Sequence, residues 1–308
     1  MGVIDKIQVF IMHWAREAPV MHHWNDALLN CVRSIQRFTA HPHEIVVVYD
    51  CDSEHLDDIQ ERLPHDVRLE EDTRKKGASG GRNMCVDLAE TDYFALIDND
   101  MRVPHGWLGN LNKEIRHAES YFKTPCVIRP SFLPYLEEPP ITAEKYGHIL
   151  PLKEFIDYCR KYGIPITDDG VVQCKAPWTK PIAESGSGVT DNGWSLSVWI
   201  ASRKAFDYVG YSDEDMCGWW GEDCDWAIRA LKTPVKLLET NTVYIQHVES
   251  FTSGPTANMR IRNSDVFVQK NGRAIFDEVI SGEIWPRLHR EQRELYPQFS
   301  GRAPSSPS

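Results

Sequence analysis

The chain has no long apolar run. Its apolar segments, such as residues 7–12, fall far short of the roughly 20 residues that a helix needs to cross a bilayer. The N-terminal residues also lack the pattern of a secretory signal peptide. We therefore expect a cytoplasmic protein without a membrane span.

Positive charge is scarce as well. The 308 residues include 34 Lys and Arg against 45 Asp and Glu, a formal net charge of −11 at pH 7. Because affinity for phosphate backbones depends on Lys and Arg, this balance argues against a nucleic-acid partner or an anionic membrane surface. The eight cysteines show neither Cys-x-x-Cys spacing nor paired clustering, so we expect scattered reduced thiols.

Apolar strands and amphipathic helices alternate through the first hundred residues. Strands are predicted at 7–12, 44–49, 67–69 and 93–97, and helices at 22–38, 53–63 and 83–90. Further strands are predicted at 126–129, 195–201 and 243–248, and further helices at 152–162, 203–209, 265–270 and 285–295. This order predicts an α/β fold with a mostly parallel, Rossmann-like central sheet and helices on both faces.

Two carboxylates stand one residue apart where the strand at 93–97 ends. Asp98 and Asp100 could project together from the carboxyl end of that strand, the edge at which open α/β sheets bind ligands. Paired hard oxygen ligands suit Mg²⁺ or Mn²⁺, and such an ion suits a diphosphate. The spacing alone is weak, since Asp-x-Asp recurs at 50–52, 213–215 and 223–225. The apolar strand and the basic, glycine-rich segment upstream distinguish this copy.

Four motifs occur in an order that resembles the GT-A glycosyltransferases, particularly their family 2-like, metal-dependent inverting branch. They are VVVYDCDS at 46–53, GASGGRN at 77–83, YFALIDND at 93–100 and GWWGEDCDWAIRAL at 218–231, followed by the lone histidine of YIQHVES. The resemblance covers residues 5–275. Two positions depart from the family pattern: Cys51-Asp52-Ser53 replaces Asp-Gly-Ser, and Gly81 replaces the commoner alanine.

The resemblance implies a GT-A domain at 1–275, and residues 131–190, which match nothing in the family, form an insertion expected on the acceptor side. A helical extension at 276–301 and a disordered tail at 302–308 would follow. The resemblance also implies that Asp98, Asp100 and His247 hold Mn²⁺ or Mg²⁺, with Asp100 the closer carboxylate and Asp98 nearer the ribose or a bridging water. An ordinary strand-end histidine is the alternative for His247.

A second set of residues is predicted to bind the donor nucleotide and its diphosphate. This set comprises His13, Asp50, Asp52, Lys76, Arg82, Asn83, Asp98, Arg260 and Arg262. The acids at 50 and 52 could accept from the base and ribose, or could form a turn and helix cap. Lys76 and the Arg82-Asn83 helix start supply charge and donors for an anion. Arg260 and Arg262 are expected on a mobile loop at 252–262 that folds over the diphosphate, and His13 could equally be a satisfied surface histidine.

Glu222 and Asp223 are the candidate catalytic pair. In the resembled family the second acid deprotonates the acceptor hydroxyl, which assigns that role to Asp223 and leaves Glu222 to bind a hydroxyl. Acids at a helix N-terminus are also what the helix dipole alone would select. Trp219 and Trp220 could stack on a sugar ring or belong to the core.

The expected function is metal-dependent, hexosyltransferase-type transfer of a sugar from a nucleoside-diphosphate donor, UDP favoured, to an acceptor hydroxyl. Inversion is implied by the resemblance, and a retaining enzyme on the same fold is the alternative. A nucleotide-sugar hydrolase would need only the donor half of the site. An inactive nucleotide-sugar binding module would keep Asp98 and Asp100 without a usable base.

Overall fold

The computed structural model of the chain describes residues 6–14, 22–51, 53–137, 149–177, 197–217, 221–248 and 257–300. The strands of the large sheet are β1 (Ile7–Trp14), β2 (His43–Asp50), β3 (Arg68–Glu71), β4 (Tyr93–Asp98), β5 (Met101–Arg102), β6 (Cys126–Leu133), β9 (Val198–Ser202) and β10 (Lys236–His247). These eight strands have the order β3-β2-β1-β4-β9-β6-β10-β5. Two short strands, β7 (Tyr135–Leu136) and β8 (Ile149–Leu150), form a separate pair.

Helices cover both faces of the large sheet, as predicted. They are α1 (His22–Phe38), α2 (Ser53–Arg62), α3 (Gly77–Leu88), α4 (Trp107–Phe122), α5 (Leu152–Lys161), α6 (Lys204–Val209), α7 (Glu222–Leu231), α8 (Ala257–Asn271), α9 (Arg273–Ser281) and α10 (Ile284–Leu295), with a 3-10 turn at Pro297–Ser300. Val9 and Ile11 of β1 pack with α1, α2 and α4, whereas Phe10 and Met12 pack with α3, α7 and α10. Alternate side chains thus enter two cores, so the central strands consist almost entirely of apolar residues.

The strand order creates a crevice beside β1. β1 pairs in parallel with β2 on one side and with β4 on the other. The chain therefore reverses its direction of travel across the sheet at β1, and open α/β sheets bind ligands at such a reversal, outside the carboxyl ends of the strands. Trp14 lies opposite Asp50 and Met12 opposite Asp98, so the two acids flank β1 at this edge.

The glycine-rich segment differs from its prediction. Residues 77–83 form the first turns of α3, where the sequence analysis placed a turn followed by a helix from residue 83. These small residues permit close packing at Gly80, where a Cβ would lie 2.8 Å from Lys76 Cβ and 3.3 Å from Arg74 Cβ, whereas a Cβ on Gly81 would meet Met12 Sδ in an ordinary contact at 3.6 Å. Gly80 thus lets α3 begin close to the segment that follows β3.

Two other predictions change. The sequence patterns missed α4 and α9, and α8 begins at Ala257, so residues 257–262 are helical where a mobile loop was predicted. Arg260 and Arg262 therefore lie near the start of a helix; their side chains, residues 252–256 and the tail at 302–308 fall outside the described residues.

The eight cysteines form no disulfide in the described structure. No helix in the described ranges combines the length and hydropathy of a membrane span.

Gly77 offers a test of how α3 is held. Its φ is +59°, and a Cβ there would lie 1.7 Å from the carbonyl oxygen of Cys217. Gly77→Ala should lower the free energy of unfolding by about 2–4 kcal/mol, combining backbone strain with overpacking. Gly109, in α4, has no atom within 4 Å of an added Cβ. Gly109→Ala should instead stabilise by about 0.5–1 kcal/mol. Urea denaturation measures both, and equal effects would contradict the packing argument.

Candidate active site

The acids at the end of β4 are buried and fixed by their surroundings. Asp98 is 8% exposed and Asp100 7% exposed. The backbone N–H of Asp98 donates to the carbonyl of Ser197 at 2.8 Å, and the Cys31 thiol lies 3.7 Å from the carbonyl oxygen of Asp98. Oδ1 of Asp98 is buried and has no hydrogen-bond partner among the described residues. A buried carboxylate oxygen in this state indicates a site for a cation or a donor.

β5 brings Asp100 next to His247. His247 ends β10 and lies opposite Met101 in the antiparallel pairing of β10 with β5. The backbone N–H of Val248 also donates to the carbonyl of Asp100 at 3.2 Å. The result places His247 Nε2 3.5 Å from Asp100 Oδ2. An imidazole and a carboxylate at this separation could share one divalent cation.

Arg82 and Glu222 form a buried ion pair beside these acids. Arg82 Nη1 lies 2.8 Å from Glu222 Oε1, and the two side chains are 5% and 3% exposed. Burial by itself lowers the pKa of the Arg82 guanidinium. The negative charges of Glu222, Asp98 and Asp223 more than offset this, so its pKa is raised and Arg82 stays cationic. The α3 helix therefore delivers one fixed positive charge into the site.

The site contains more acidic side chains than the single cationic side chain of Arg82 can balance. Burial raises the pKa of Asp98 to about 7; Arg82 opposes the rise, and the charge of Asp100 adds to it. Burial also raises the pKa of Glu222, with Asp223 adding to the rise and Arg82 opposing it. Crowded, desolvated carboxylates favour the uptake of a further positive charge.

The described residues contain no preformed group of three metal-ligating side chains. Asp98 nevertheless offers an unpartnered buried oxygen, and Asp100 and His247 contact each other. These donors are the oxygen and imidazole types that Mn²⁺ accepts, and Mg²⁺ would use the oxygens. The residues present therefore fit a divalent cation whose remaining ligands come from a diphosphate or from water.

Asp223 is the accessible member of the candidate catalytic pair. It is half-buried, and its Oδ1 accepts the backbone N–H of Cys224 at 2.8 Å, which fixes the carboxylate at the N-terminus of α7. Glu222 points into the protein toward Arg82. Of the two acids, Asp223 is thus the one that an acceptor hydroxyl could reach.

A cleft lies beside the acids, between the ends of β1 and β2 and the start of α3. Its lining includes Met12, His13, Asp50, Asp72 and Gly81. Asp72, which is not among the predicted donor residues, accepts the backbone N–H groups of Arg74 and Lys75 through Oδ1 at 3.0 and 3.3 Å. The only sequence signal was an acid directly after β3. Burial raises the pKa of Asp72, with these backbone hydrogen bonds opposing the rise.

The other residues predicted to bind the donor nucleotide lie in different environments. Lys76 is exposed and precedes α3. The Asn83 amide donates to the carbonyl of Ser212 and to Glu214, both at 2.9 Å, and accepts the Ser212 N–H at 2.8 Å. A structural role accounts for all of these contacts, and the donor contact of Asn83 stays a prediction. His13 is buried at the cleft wall.

The remaining candidate positions fall outside the described residues. They are Asp52, Trp219 and Trp220, together with the side chains of Arg260 and Arg262. Their roles stay predictions.

Comparison with known proteins identifies the fold. Residues 19–158 match the model of glycosyl transferase family 2. Among curated protein sequences there is no significant match. The fold is similar to GalNAc-T7 bound to UDP, GalNAc and Mn²⁺, with 15% identity and a TM-score of 0.53 over 95% of this chain and 58% of that one. It is also similar to the mannosyltransferase PcManGT from Pyrobaculum calidifontis in complex with GDP-Man and Mn²⁺, with 16% identity and a TM-score of 0.50 over 96% and 72%.

This chain spans little more than half of the GalNAc-T7 chain, and identities this low establish the fold alone. The family match lies over α1 through β4 and on to α5, so it includes the acids at the end of β4. The chain therefore has the GT-A fold, and its residues 19–158 are similar to glycosyl transferase family 2.

Proposed function

We propose that this chain is a metal-dependent glycosyltransferase that moves a sugar from a nucleoside-diphosphate donor to an acceptor hydroxyl. The observation that carries the proposal is one cluster at the carboxyl edge of the sheet, formed by the buried side chains of Asp98, Asp100, Arg82 and Glu222 and by the partly exposed His247. It lies beside the crevice at β1, near the small cleft lined by Asp50 and Asp72, in a fold that known sugar transferases share.

Asp98, Asp100 and His247 would hold the metal ion. A bound Mn²⁺ or Mg²⁺ would supply positive charge against the leaving diphosphate. Arg82 is already cationic and faces Asp98, so it would compensate part of the negative charge of the acids and of the diphosphate. Its partner Glu222 keeps the guanidinium in place. These groups are fixed before the donor arrives, which is what electrostatic stabilisation requires.

Asp223 would act as the general base. In a single displacement the acceptor hydroxyl would attack the anomeric carbon opposite the diphosphate while Asp223 takes its proton, with inversion at that carbon. The hydrogen bond from the Cys224 N–H would hold the carboxylate toward the site. Glu222 would position Arg82, and its predicted contact with an acceptor hydroxyl would need the oxygen that does not face Arg82.

The donor is proposed to carry UDP. Asp50 and Asp72, which both line the cleft, would accept from the base N–H and the ribose hydroxyls. The similar structures hold UDP in one case and GDP-mannose in the other, so both nucleotides belong in the test. The acceptor would approach from the side of residues 131–190, and a cytoplasmic location stays a prediction.

A donor panel tests the proposal. The protein is incubated with UDP-, GDP- and dTDP-sugars and Mn²⁺, and nucleotide release is followed with and without sugar, lipid and peptide acceptors. Release that depends on an acceptor supports transfer. Release without acceptor dependence would favour a nucleotide-sugar hydrolase, and binding without release would favour an inactive binding module. Absence of both binding and release would overturn all three.

Removing one acid should weaken metal-dependent binding. Asp100→Asn should reduce the affinity for Mn²⁺ and UDP together by about 10–100-fold, because it removes a charged ligand that contacts His247. Isothermal titration calorimetry measures this affinity. Asp215→Asn is the matched control, since Asp215 belongs to another Asp-x-Asp pair and binds Lys270 at 2.8 Å on the surface. Equal effects of the two substitutions would remove Asp100 from the metal site.

A further inference from the structure

Asn99 lies between the two acids of the proposed metal site, and its side chain is anchored inside the protein. It is 5% exposed, and its Nδ2 donates to Nδ1 of His13 at 2.7 Å. His13 belongs to β1, which has a parallel neighbour on each side. The Asn99 amide therefore ties the turn that carries Asp98 and Asp100 to a strand inside the parallel part of the sheet.

Both nitrogens of His13 are engaged. Nε2 contacts Asn25 Oδ1 at 3.1 Å, and a neutral imidazole with its proton on Nε2 satisfies both this contact and the one from Asn99. Burial lowers the pKa of His13 to about 4, which keeps this neutral form at physiological pH. A ring with both nitrogens used has none left for a nucleotide.

The hydrogen bonds continue to the protein surface. Asn25, on α1, donates through Nδ2 to Asp58 on α2 at 2.7 Å. Asp58 in turn accepts from Arg62 Nη1 at 3.0 Å. The four links from Asn99 to Arg62 thus cross β1, α1 and α2, elements fixed by the core. Partners behind the ligands of a metal ion commonly decide how well those ligands are held.

We propose that His13 is a positioning residue that fixes the Asp98–Asp100 turn through Asn99 and does not contact the donor. This inference rests on the proposed function, because the turn matters as the site of the metal ion. It replaces the nucleoside contact that the sequence suggested for His13 with an indirect role.

Two substitutions at His13 separate its two contacts. In His13→Asn the side-chain oxygen takes the place of Nδ1, so the bond from Asn99 is kept and the bond to Asn25 is lost. In His13→Gln the amide group takes the place of Nε2, so the bond to Asn25 is kept and the bond from Asn99 is lost. The affinity for Mn²⁺ with UDP, and separately with GDP, is measured by calorimetry. His13→Gln should weaken it by about 10-fold or more, and His13→Asn by less than about 3-fold.

Coupling provides a second readout. Asn99→Ala should weaken the same affinity by as much as His13→Gln, and the double variant should lose no more than either one. Thermal unfolding of each variant separates positioning from general destabilisation. His289→Gln is the matched control, because His289 is also buried but lies on α10, with no protein hydrogen-bond partner among the described residues. It should leave the affinity unchanged.

The outcomes are distinct. If wild-type protein binds Mn²⁺ with UDP or GDP and His13→Gln binds equally well, the positioning role is wrong and the proposed function stands. Equal losses of affinity in His13→Asn and His13→Gln would also overturn the positioning role. Wild-type protein that binds neither nucleotide with Mn²⁺ would contradict the proposed function, and the inference with it.

Discussion

Asp223→Asn should reduce sugar transfer by about 10²–10⁴-fold, the usual contribution of a general base, while leaving donor binding intact. Asparagine has nearly the same shape, and its side-chain oxygen can still accept the N–H of Cys224 that holds the carboxylate in place at 2.8 Å. It cannot take a proton from the acceptor hydroxyl. The expected result is therefore a loss in kcat with little change in the affinity for Mn²⁺ and UDP.

Asp225 on the same helix supplies the control for this experiment. Its carboxylate is buried and binds Arg229 Nε at 2.9 Å and Asn271 Nδ2 at 3.1 Å. Asp225→Asn removes one acid from the first turn of α7, as Asp223→Asn does, so it reproduces any effect of the helix dipole. It should cost stability and leave the turnover of the folded enzyme unchanged. Transfer that survives in Asp223→Asn, or is lost equally in Asp225→Asn, would remove Asp223 as the base.

Local patterns predicted much of the fold. α1 has the predicted bounds, because Leu28, Cys31, Val32 and Ile35 recur at helical spacing and every one of them is fully buried. β10 begins at Lys236, earlier than the predicted residue 243. The earlier part was missed because polar residues such as Thr240 and Thr242 lie before the apolar run, and no apolar pattern marks them. These two hydroxyls bind each other at 2.9 Å inside the protein. Burial of polar residues depends on partners that a linear pattern does not contain.

Part of the candidate site could likewise be predicted from local patterns and part could not. Asp98 and Asp100 could be named from a strand that ends in acids, and His247 from its motif, but the contact of His247 with Asp100 depends on the pairing of β5 with β10. Asn99 was missed because its importance lies in a hydrogen bond to a distant strand, and Asp72 because an acid directly after a strand marks no site until the fold places it in the cleft. The partnership of Arg82 with Glu222 was missed for the same reason, as it joins the starts of two helices far apart in the chain.

Loss of that partnership should strongly lower the stability of the protein. Glu222→Gln would leave the Arg82 guanidinium, 4% exposed, without the carboxylate that contacts it at 2.8 Å. Breaking a buried ion pair in this way costs about 3–5 kcal/mol. We expect about 3 kcal/mol here, the lower end, because Asp98 and Asp223 still face Arg82. Urea denaturation of purified protein gives the free energy of unfolding, and donor binding should weaken as Arg82 loses its fixed position.

An exposed pair shows what burial contributes. Arg273 and Asp277 lie 2.9 Å apart on α9, with side chains 72% and 59% exposed. Asp277→Asn removes the same charge from a contact of similar length and should change the free energy of unfolding by less than about 1 kcal/mol, because water and salt screen the pair. If both substitutions cost the same, the low dielectric around Arg82 is not what makes its partner important. A large loss of stability only in Glu222→Gln would mean that the fold keeps the desolvated positive charge of Arg82 at the site where the diphosphate is proposed to bind. Glu222 would then be the residue that stabilises this charge before the donor arrives.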